Sequence, residues 1–142
     1  EAEKRAALAT QGEKLDQGKA PISLINRIAL EQEAMVMAYG AKKYAAHNWR
    51  KGIAASRLID AALRHILAYA DGENNDPETG LSHLAHARCC LAFQISLEKT
   101  HPHLDDRYVR ETGKSVHQVR ASLPASGTAL RKDGKSVLKR NT

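Results

Sequence analysis

The chain has 142 residues and a formal net charge of +6, and 42% of its residues are hydrophobic while only 4% are aromatic. That length suits a single domain with one core, and the scarcity of aromatic and β-branched residues favours packed helices over a β-sheet. No apolar run reaches the roughly 18 residues that a membrane span needs, and no signal-peptide pattern opens the sequence, so we expect a cytoplasmic protein that binds no membrane.

The first long helix is predicted over about residues 22–46. Gly18 and Pro21 break the preceding segment, and Pro21 suits a helix entrance. Apolar residues then recur at helical spacing. On this pattern Glu31 points inward, where a lone glutamate could complete a metal site, and Glu33 faces solvent.

A polar loop with the chain's single tryptophan follows this helix. Tyr44, Asn48 and Trp49 lie there among basic residues. A planar aromatic ring beside an amide suits nucleobase recognition, through stacking and through paired donor and acceptor groups. Trp49 is equally suited to plug the core beneath the loop, and the pattern leaves both roles open. The surrounding cations are Lys19, Lys42, Lys43, Arg50 and Lys51.

The second helix is predicted over about 57–70, with Ser56 as its cap. It carries His65. Arg64 either pairs at the surface with Asp60, one turn earlier, or grips a phosphate group. The residues expected on the buried face are Ile59, Ala62, Leu63, Ile66 and Ala70.

An acidic loop over residues 73–80 separates this helix from a third one, predicted over about 81–99. The third helix is apolar on most sides, as is typical of a helix packed on two faces. His83 and His86 open it one turn apart, so their imidazoles project to one face. In an antiparallel hairpin, His65 of the second helix lies opposite them.

These histidines and the nearby carboxylates form a candidate metal site. Mixed imidazole and carboxylate ligands suit Mn²⁺, Mg²⁺, Fe²⁺ or Ni²⁺ better than structural zinc, which prefers cysteine. Each residue also has an ordinary explanation, since core histidines are common and acids ahead of a helix stabilise its dipole. The candidate ligands are Glu31, His65, Asp76, Glu78, His83 and His86.

The C-terminal part, residues 104–142, is basic and poor in large apolar side chains. We expect one short helix near residues 105–122 and then an extended arm, which either attracts phosphate or is simply a solvated terminus. We therefore place a helical domain at residues 1–103, with its core at about 16–98, and a basic extension at 104–142. Three main helices barely enclose a core, so a homodimer or homotetramer is expected.

Several spaced blocks of the sequence form a recognisable set. They are Asp16-x-Gly18-Lys19, Ala29-Leu30-Glu31, Gly40-Ala41-x-Lys43-Tyr44-x-x-x-Asn48-Trp49, Arg64-His65, Gly72-Glu73-x-x-Asp76-x-Glu78-x-Gly80-Leu81 and His83-Leu84-x-His86-Ala87. Together, in this order, they resemble a phage family of dATP/dGTP diphosphohydrolases related to the MazG nucleotide pyrophosphohydrolases.

The resemblance implies an all-α fold, a MazG-like bundle of three to four main helices completed by oligomerisation. It implies Mg²⁺- or Mn²⁺-dependent hydrolysis of a purine (deoxy)nucleoside triphosphate, such as dGTP or GTP, to the monophosphate and pyrophosphate, with more than one ion per site. The MazZ type within the family is similar; it supplies dGMP to phage pathways that replace adenine with 2-aminoadenine. On this hypothesis Lys19, Lys43 and Arg64 hold phosphate oxygens, and Tyr44, Asn48 and Trp49 hold the base or sugar.

One departure from the related enzymes concerns the metal ligands. MazG enzymes proper carry an E-E-x-x-E helix and an E-x-x-D helix, whereas here Arg64-His65-x-x-Ala68 and His83-Leu84-Ala85-His86 stand in what look like equivalent places. Either Glu31 and the loop acids supply the carboxylates, or histidines have taken over ligation. The catalytic residues expected are Glu31, His65, Asp76, Glu78 and His83.

A second hypothesis is a small basic helical protein that binds nucleic acid, which the net charge and the C-terminal extension favour. It leaves the loop acids and the histidine pair unexplained, so nucleic acid is not the expected partner. The sequence contains neither a glycine-rich P-loop motif nor the His-Asp dipeptide of a different class of phosphohydrolase.

Overall fold

The computed structural model describes residues 1–8 and 12–123, and within them the protein is an all-α bundle with one short hairpin, as the sequence predicted. The helices are α1 (Ala2–Leu8), α2 (Arg27–Tyr44), α3 (Ala55–Ala70), α4 (His83–Thr100) and α5 (Val116–Ala121). Single 3₁₀ turns occupy Ile22–Leu24, Asn48–Lys51 and Pro102–Leu104, and the hairpin strands are β1 (Tyr108–Val109) and β2 (Lys114–Ser115).

Helix α2 begins five residues later than the sequence predicted. The side chain of Asn26 accepts a hydrogen bond from the backbone N–H of Ala29, which is the interaction of a helix cap. Pro21 therefore precedes a separate 3₁₀ turn rather than α2 itself. The helix ends at Tyr44, because the φ of 102° at Ala45 breaks the helical conformation.

Ser56 is not the cap of α3, contrary to the sequence prediction. The helix starts at Ala55, so that Ala54 takes the cap position, where it has no side chain able to accept a hydrogen bond. The carboxylate of Asp106 replaces the missing cap, because its Oδ1 accepts the backbone N–H of Ser56 at 2.8 Å and its Oδ2 accepts the Ser56 hydroxyl.

Helices α3 and α4 form an antiparallel hairpin. His65 near the end of α3 meets His83 and His86 at the start of α4, and Gly52 ahead of α3 lies beside His101 after α4. A Cβ on Gly52 would lie 2.9 Å from the His101 ring, so this close approach requires glycine. Helix α2 packs on α4 through a core of Val36, Ala85 and Cys89, with Leu81 and Phe93 against it.

The face of α3 that packs on α4 differs from the predicted one. Leu58 and Ala62 are buried, whereas Leu63 and Ile66 stay 49% and 41% exposed. This helix has two adjacent apolar stripes. The stripe of Leu58 and Ala62, which continues to His65, is buried, and the stripe of Leu63 and Ile66 is not. The second stripe is left without a partner in a single chain.

Residues 102–121 pack against the helical bundle. Asp105 is buried and accepts two hydrogen bonds from Arg107, from Nε and Nη2, each at 2.8 Å, while Asp106 reaches the start of α3. A short helix in this region was predicted and is present as α5. The extended arm expected beyond it falls on residues 124–142, outside the described residues. No helix among the described residues is long and apolar enough to cross a membrane.

Candidate metal centre

Three side chains from three segments converge at the end of the α3–α4 hairpin where the loop joins the two helices. His65 comes from α3, Asp76 from the loop and His86 from the first turn of α4, and one ligand atom of each lies within 4.8 Å of the others. The rings of His65 and His86 stack with their centroids 4.5 Å apart. Within the part of the chain that the structure describes, this is the one grouping of metal-ligating side chains at such separations.

The loop holds the Asp76 carboxylate in place from both sides. Its backbone N–H donates to the carbonyl of Leu81 at 2.8 Å, and its carbonyl accepts from Gly80 at 2.7 Å. Oδ1 accepts the backbone N–H of Glu78 at 2.8 Å, so Oδ2 is the oxygen that faces His86, 3.8 Å from its Nε2. A short side chain that bonds its own loop in this way is well ordered before any ligand arrives.

Burial prepares the two imidazoles for ligation. Desolvation is the main cause that lowers the pKa of His65 and of His86, and the nearby charge of Asp76 only partly opposes it. Both rings are consequently neutral at neutral pH, which is the form that binds metal. Thr79 also bonds His86, with its hydroxyl oxygen 2.7 Å from Nε2.

His83 lies behind this cluster and is not part of it. Its ring is buried between His65, whose Nδ1 is 2.9 Å from the Nδ1 of His83, and Glu73, whose carboxylate is 2.6 Å from Nε2. The spacing of His83 and His86 on one helix face had predicted that both are ligands. In the structure only His86 belongs to the metal-ligating cluster, whereas His83 contacts His65 from outside the cluster.

Glu31 is not part of the cluster, and it is exposed rather than pointing inward as expected. It pairs with Arg27 one turn away on an exposed face of α2, at 2.7 Å. Glu33, which was expected to be solvated, is the glutamate that faces the bundle, where it pairs with Arg88 of α4. The two positions are about 200° apart on a helix, and packing of α2 on α4 turns Glu33 inward.

A cavity of about 740 Å³ opens from the metal-ligating cluster and runs between α2, α3 and the loop after α2. It is large enough for a drug-sized or nucleotide-sized molecule. Five of the six residues predicted to bind substrate line it: Lys43, Tyr44, Asn48, Trp49 and Arg64. Lys19, the sixth, is exposed and does not line the cavity.

The basic and aromatic lining residues have distinct surroundings. Lys43 donates to Glu78 at 3.1 Å, which joins α2 to the acidic loop and raises the pKa of this lysine. Trp49 stacks on Phe93 with ring centroids 4.6 Å apart, and Arg50 lies over the same indole ring. Trp49 is thus half-buried between neighbouring side chains, which is close to the role of a residue that fills the core beneath the loop. Its Nε1–H has no hydrogen-bond acceptor among the described residues.

Sequence analysis did not assign several residues that complete this site. Glu73 and Thr79 belong to the acidic loop, where their spacing from His83 and His86 carries no recognisable signal. Arg57 lies seven residues before Arg64 on the same face of α3, so helical spacing alone would have grouped the two. The lining residues that the sequence did not indicate include Arg57, Thr79 and Phe93.

The geometry of His65, Asp76 and His86 suits a single divalent ion. Atoms bound to one ion at about 2.2 Å lie at most about 4.4 Å apart, so the three side chains need to close by less than about 1 Å. Two neutral imidazoles and one carboxylate suit Mn²⁺ or Fe²⁺ better than Mg²⁺, which prefers oxygen ligands. The arrangement can therefore place an ion at one end of a cavity that carries several cations.

The sequence is similar to known proteins over most of its length. A family model described as "dATP/dGTP diphosphohydrolase, N-terminal" matches residues 9–107. A dATP/dGTP diphosphohydrolase from Salmonella phage PMBT28 is 42% identical over 112 residues, which is 79% of this chain and 38% of that relative. The chain thus spans less than half the length of that curated relative. No solved structure matches the chain.

Proposed function

The chain belongs to the dATP/dGTP diphosphohydrolase family, and from this premise we propose that it hydrolyses a purine deoxynucleoside triphosphate to the monophosphate and pyrophosphate. The relative from the Salmonella phage carries this activity in its name. In this chain, the observation that supports the proposal is that the His65–Asp76–His86 cluster lines the same cavity as several basic side chains.

The charge of the cavity matches a triphosphate. A nucleoside triphosphate brings about four negative charges, which must be neutralised while the anhydride bond breaks. Lys43, Lys51, Arg57 and Arg64 all line the cavity. Arg64 has no ion-pair partner among residues 1–8 and 12–123, so its guanidinium is available to bind phosphate oxygens in bidentate fashion.

The chain's own residues supply the positioning for in-line attack of water on the α-phosphorus. A divalent cation, when bound, would neutralise phosphate charge and activate the attacking water. His65, Asp76 and His86 would hold that cation, with Asp76 using Oδ2. Glu78 lies beside this cluster and keeps Lys43 at the cavity wall. Lys43 and Arg64, which line the cavity, would hold the phosphates.

The finer assignments follow from the resemblance to MazG-related enzymes. We propose dGTP, with GTP as a further substrate, Mg²⁺ or Mn²⁺ as the cation, and a role in supplying dGMP to modified-purine phage DNA, as in the MazZ type. The ligand set of two imidazoles and one carboxylate favours Mn²⁺ of the two. Asn48 and Tyr44 at the cavity wall would contact the base or sugar. The active form would be a homodimer or homotetramer in the host cell cytoplasm, where the substrate is found.

Nucleotide turnover by the purified full chain tests the proposal. With Mn²⁺, dGTP should yield dGMP and pyrophosphate, identified by ion-exchange chromatography, without intermediate dGDP. Asp76→Asn and His86→Ala should each abolish turnover and keep the helical content, because both side chains lie at the cavity rather than in the core. His103→Ala, which removes an exposed histidine outside the cavity, should leave turnover unchanged. Full activity of both cluster variants would remove the metal centre from the reaction.

Nucleic-acid binding, the alternative from the sequence, rests on basic residues that lie mostly beyond residue 123. Deleting residues 124–142 separates the two functions. Hydrolysis should survive the deletion, because the cluster and the cavity lie wholly within residues 36–93.

A further inference from the structure

A row of three hydrogen-bonded side chains leads from the loop to the metal centre. The Glu73 carboxylate lies 2.6 Å from Nε2 of His83, and Nδ1 of His83 lies 2.9 Å from Nδ1 of His65. His83 is 4% exposed and does not line the cavity. It therefore lies outside both the cavity and the His65–Asp76–His86 cluster, and its only polar side-chain contacts among the described residues are those two.

Backbone hydrogen bonds fix two of the three members of the row, Glu73 and His83. The backbone N–H of Glu73 donates to the carbonyl of Ala68 at the end of α3, at 3.1 Å. The backbone N–H of His83 donates to the carbonyl of Asn74 at 3.0 Å, next to a β-bridge between Asn75 and Ser82. The loop thus holds the carboxylate directly against the buried ring.

Hydrogen-bond donors and acceptors in the row determine where each hydrogen lies. An ionised carboxylate only accepts, so Nε2 of His83 must carry the hydrogen that Glu73 receives. A neutral His83 then has its lone pair on Nδ1, and the Nδ1 of His65 must donate to it. A neutral His65 with its hydrogen on Nδ1 has its free lone pair on Nε2, the atom on the far side of the ring.

From this row we propose that Glu73 and His83 are positioning residues that lock His65 in the Nδ1–H tautomer and so leave its Nε2 lone pair for the divalent cation. The inference rests on the proposed function, because it names the support of that same metal centre. Neutral imidazole in water favours the opposite, Nε2–H tautomer, so the protein must supply an acceptor at Nδ1 to reverse the preference. Partners of this kind orient metal-binding histidines and raise their basicity.

The first test reads the tautomer directly, in the metal-free full chain. Two-bond ¹⁵N–¹H correlation spectra of the imidazoles at neutral pH distinguish the two tautomers, and a His65→Gln variant assigns the signal. His65 should show a protonated Nδ1 and an unprotonated Nε2. The Nε2–H tautomer at His65 would overturn the proposal, whatever the protein does with metal or nucleotide.

The second test measures the consequence for metal binding. Glu73→Ala should weaken Mn²⁺ binding, measured by calorimetry without nucleotide, by about tenfold or more, and should shift His65 toward the Nε2–H tautomer. Asp71→Ala removes the same charge from an exposed position two residues earlier, and should change neither. Glu73 is half exposed at its side chain, so the variant should fold.

The outcomes separate this inference from the proposed function. A Glu73→Ala variant with lower thermal stability but unchanged tautomer and Mn²⁺ affinity would show a purely structural role and overturn the inference alone. Absence of Mn²⁺ binding by the wild type would overturn the metal centre, and with it the claim that the row serves a cation. Equal losses of Mn²⁺ affinity in the Glu73 and Asp71 variants would show that the effect comes only from the negative charge near the site, and would also contradict the inference.

Discussion

Arg64 shows how a single side chain is made available for substrate. It could have paired with Asp60 one helical turn earlier, as exposed residues at this spacing often do. In the structure it lines the cavity and forms no ion pair within the described residues. An unpaired guanidinium beside the candidate metal centre has no ion pair to break when a phosphate group binds to it.

Replacing Arg64 should therefore weaken substrate binding more than the chemical step. A charge-assisted hydrogen bond contributes about 1.5–3 kcal/mol, so Arg64→Ala should raise KM for dGTP by about tenfold or more. Steady-state kinetics with Mn²⁺ gives the comparison. Arg27→Ala, which removes an arginine from an exposed pair with Glu31, should keep the KM of the wild type. Unchanged KM in Arg64→Ala would place the phosphates elsewhere in the cavity.

The sequence was most informative about residues whose grouping follows from their spacing along the chain. The histidine spacing and the acidic loop led to His65, Asp76 and His86 without the fold. The choice between Glu31 and Glu33, by contrast, depended on which face of α2 packs on α4, and apolar residues surround that helix on more than one side. The positions of Glu73 and Thr79 depend on the loop backbone, which hydrogen bonds such as those of Asp76 define and which no periodic pattern predicts.

At the scale of elements, α3 depends on a residue far along the chain for its first turn. The early backbone N–H groups of a helix need acceptors, and Ala54 offers none. Asp106, fifty residues later, accepts from both the backbone and the hydroxyl of Ser56. The sequence could predict the helix but not this cap, because local capping rules look only at neighbouring residues. The contact also joins residues 102–121 to the helix that carries His65.

Removing Asp106 should accordingly cost about 1 kcal/mol of unfolding free energy, the usual effect of a lost cap. Hydrogen bonds from Ser56 lower the pKa of Asp106 below its usual value of 3.8. Its contribution is therefore complete above that pH and is lost as the pH falls toward the lowered pKa of the folded state. Urea unfolding of Asp106→Ala at pH 7 and at successively lower pH should show the difference from wild type shrinking.

A local cap provides the control for that prediction. Ala54 already has the extended backbone of a cap residue, with ψ of 139°. Adding Ala54→Asp to Asp106→Ala should recover part of the lost stability, because the new carboxylate reaches the N–H of Ser56. Asp106→Ala with the full stability of the wild type would show that solvent satisfies the first turn of α3 equally well.

At the scale of the whole molecule, one chain leaves much of its apolar surface uncovered. Leu84, Leu91 and Ile95 follow one another along α4 at spacings of seven and four residues and are 46%, 51% and 66% exposed. Leu63 and Ile66 form a similar uncovered stripe on α3. Contiguous stripes at this spacing are typical of helices that pack on a second surface, and the sequence analysis already expected α4 to be covered on two faces.

We therefore expect the protein to associate through the outer stripe of α4. Light scattering after size exclusion should give a mass of two or more chains for the wild type, and Leu91→Glu with Ile95→Glu should give a single chain, because paired carboxylates cannot be buried without partners. Leu15→Glu, at a position 93% exposed and outside the helices, should keep the wild-type mass. Dissociation should also lower the melting temperature and remove its dependence on protein concentration. Since α4 carries His86 two residues from Leu84, the dissociated variant should also bind Mn²⁺ less tightly than the wild type. If the wild type is a single chain and binds Mn²⁺, one chain completes the site alone.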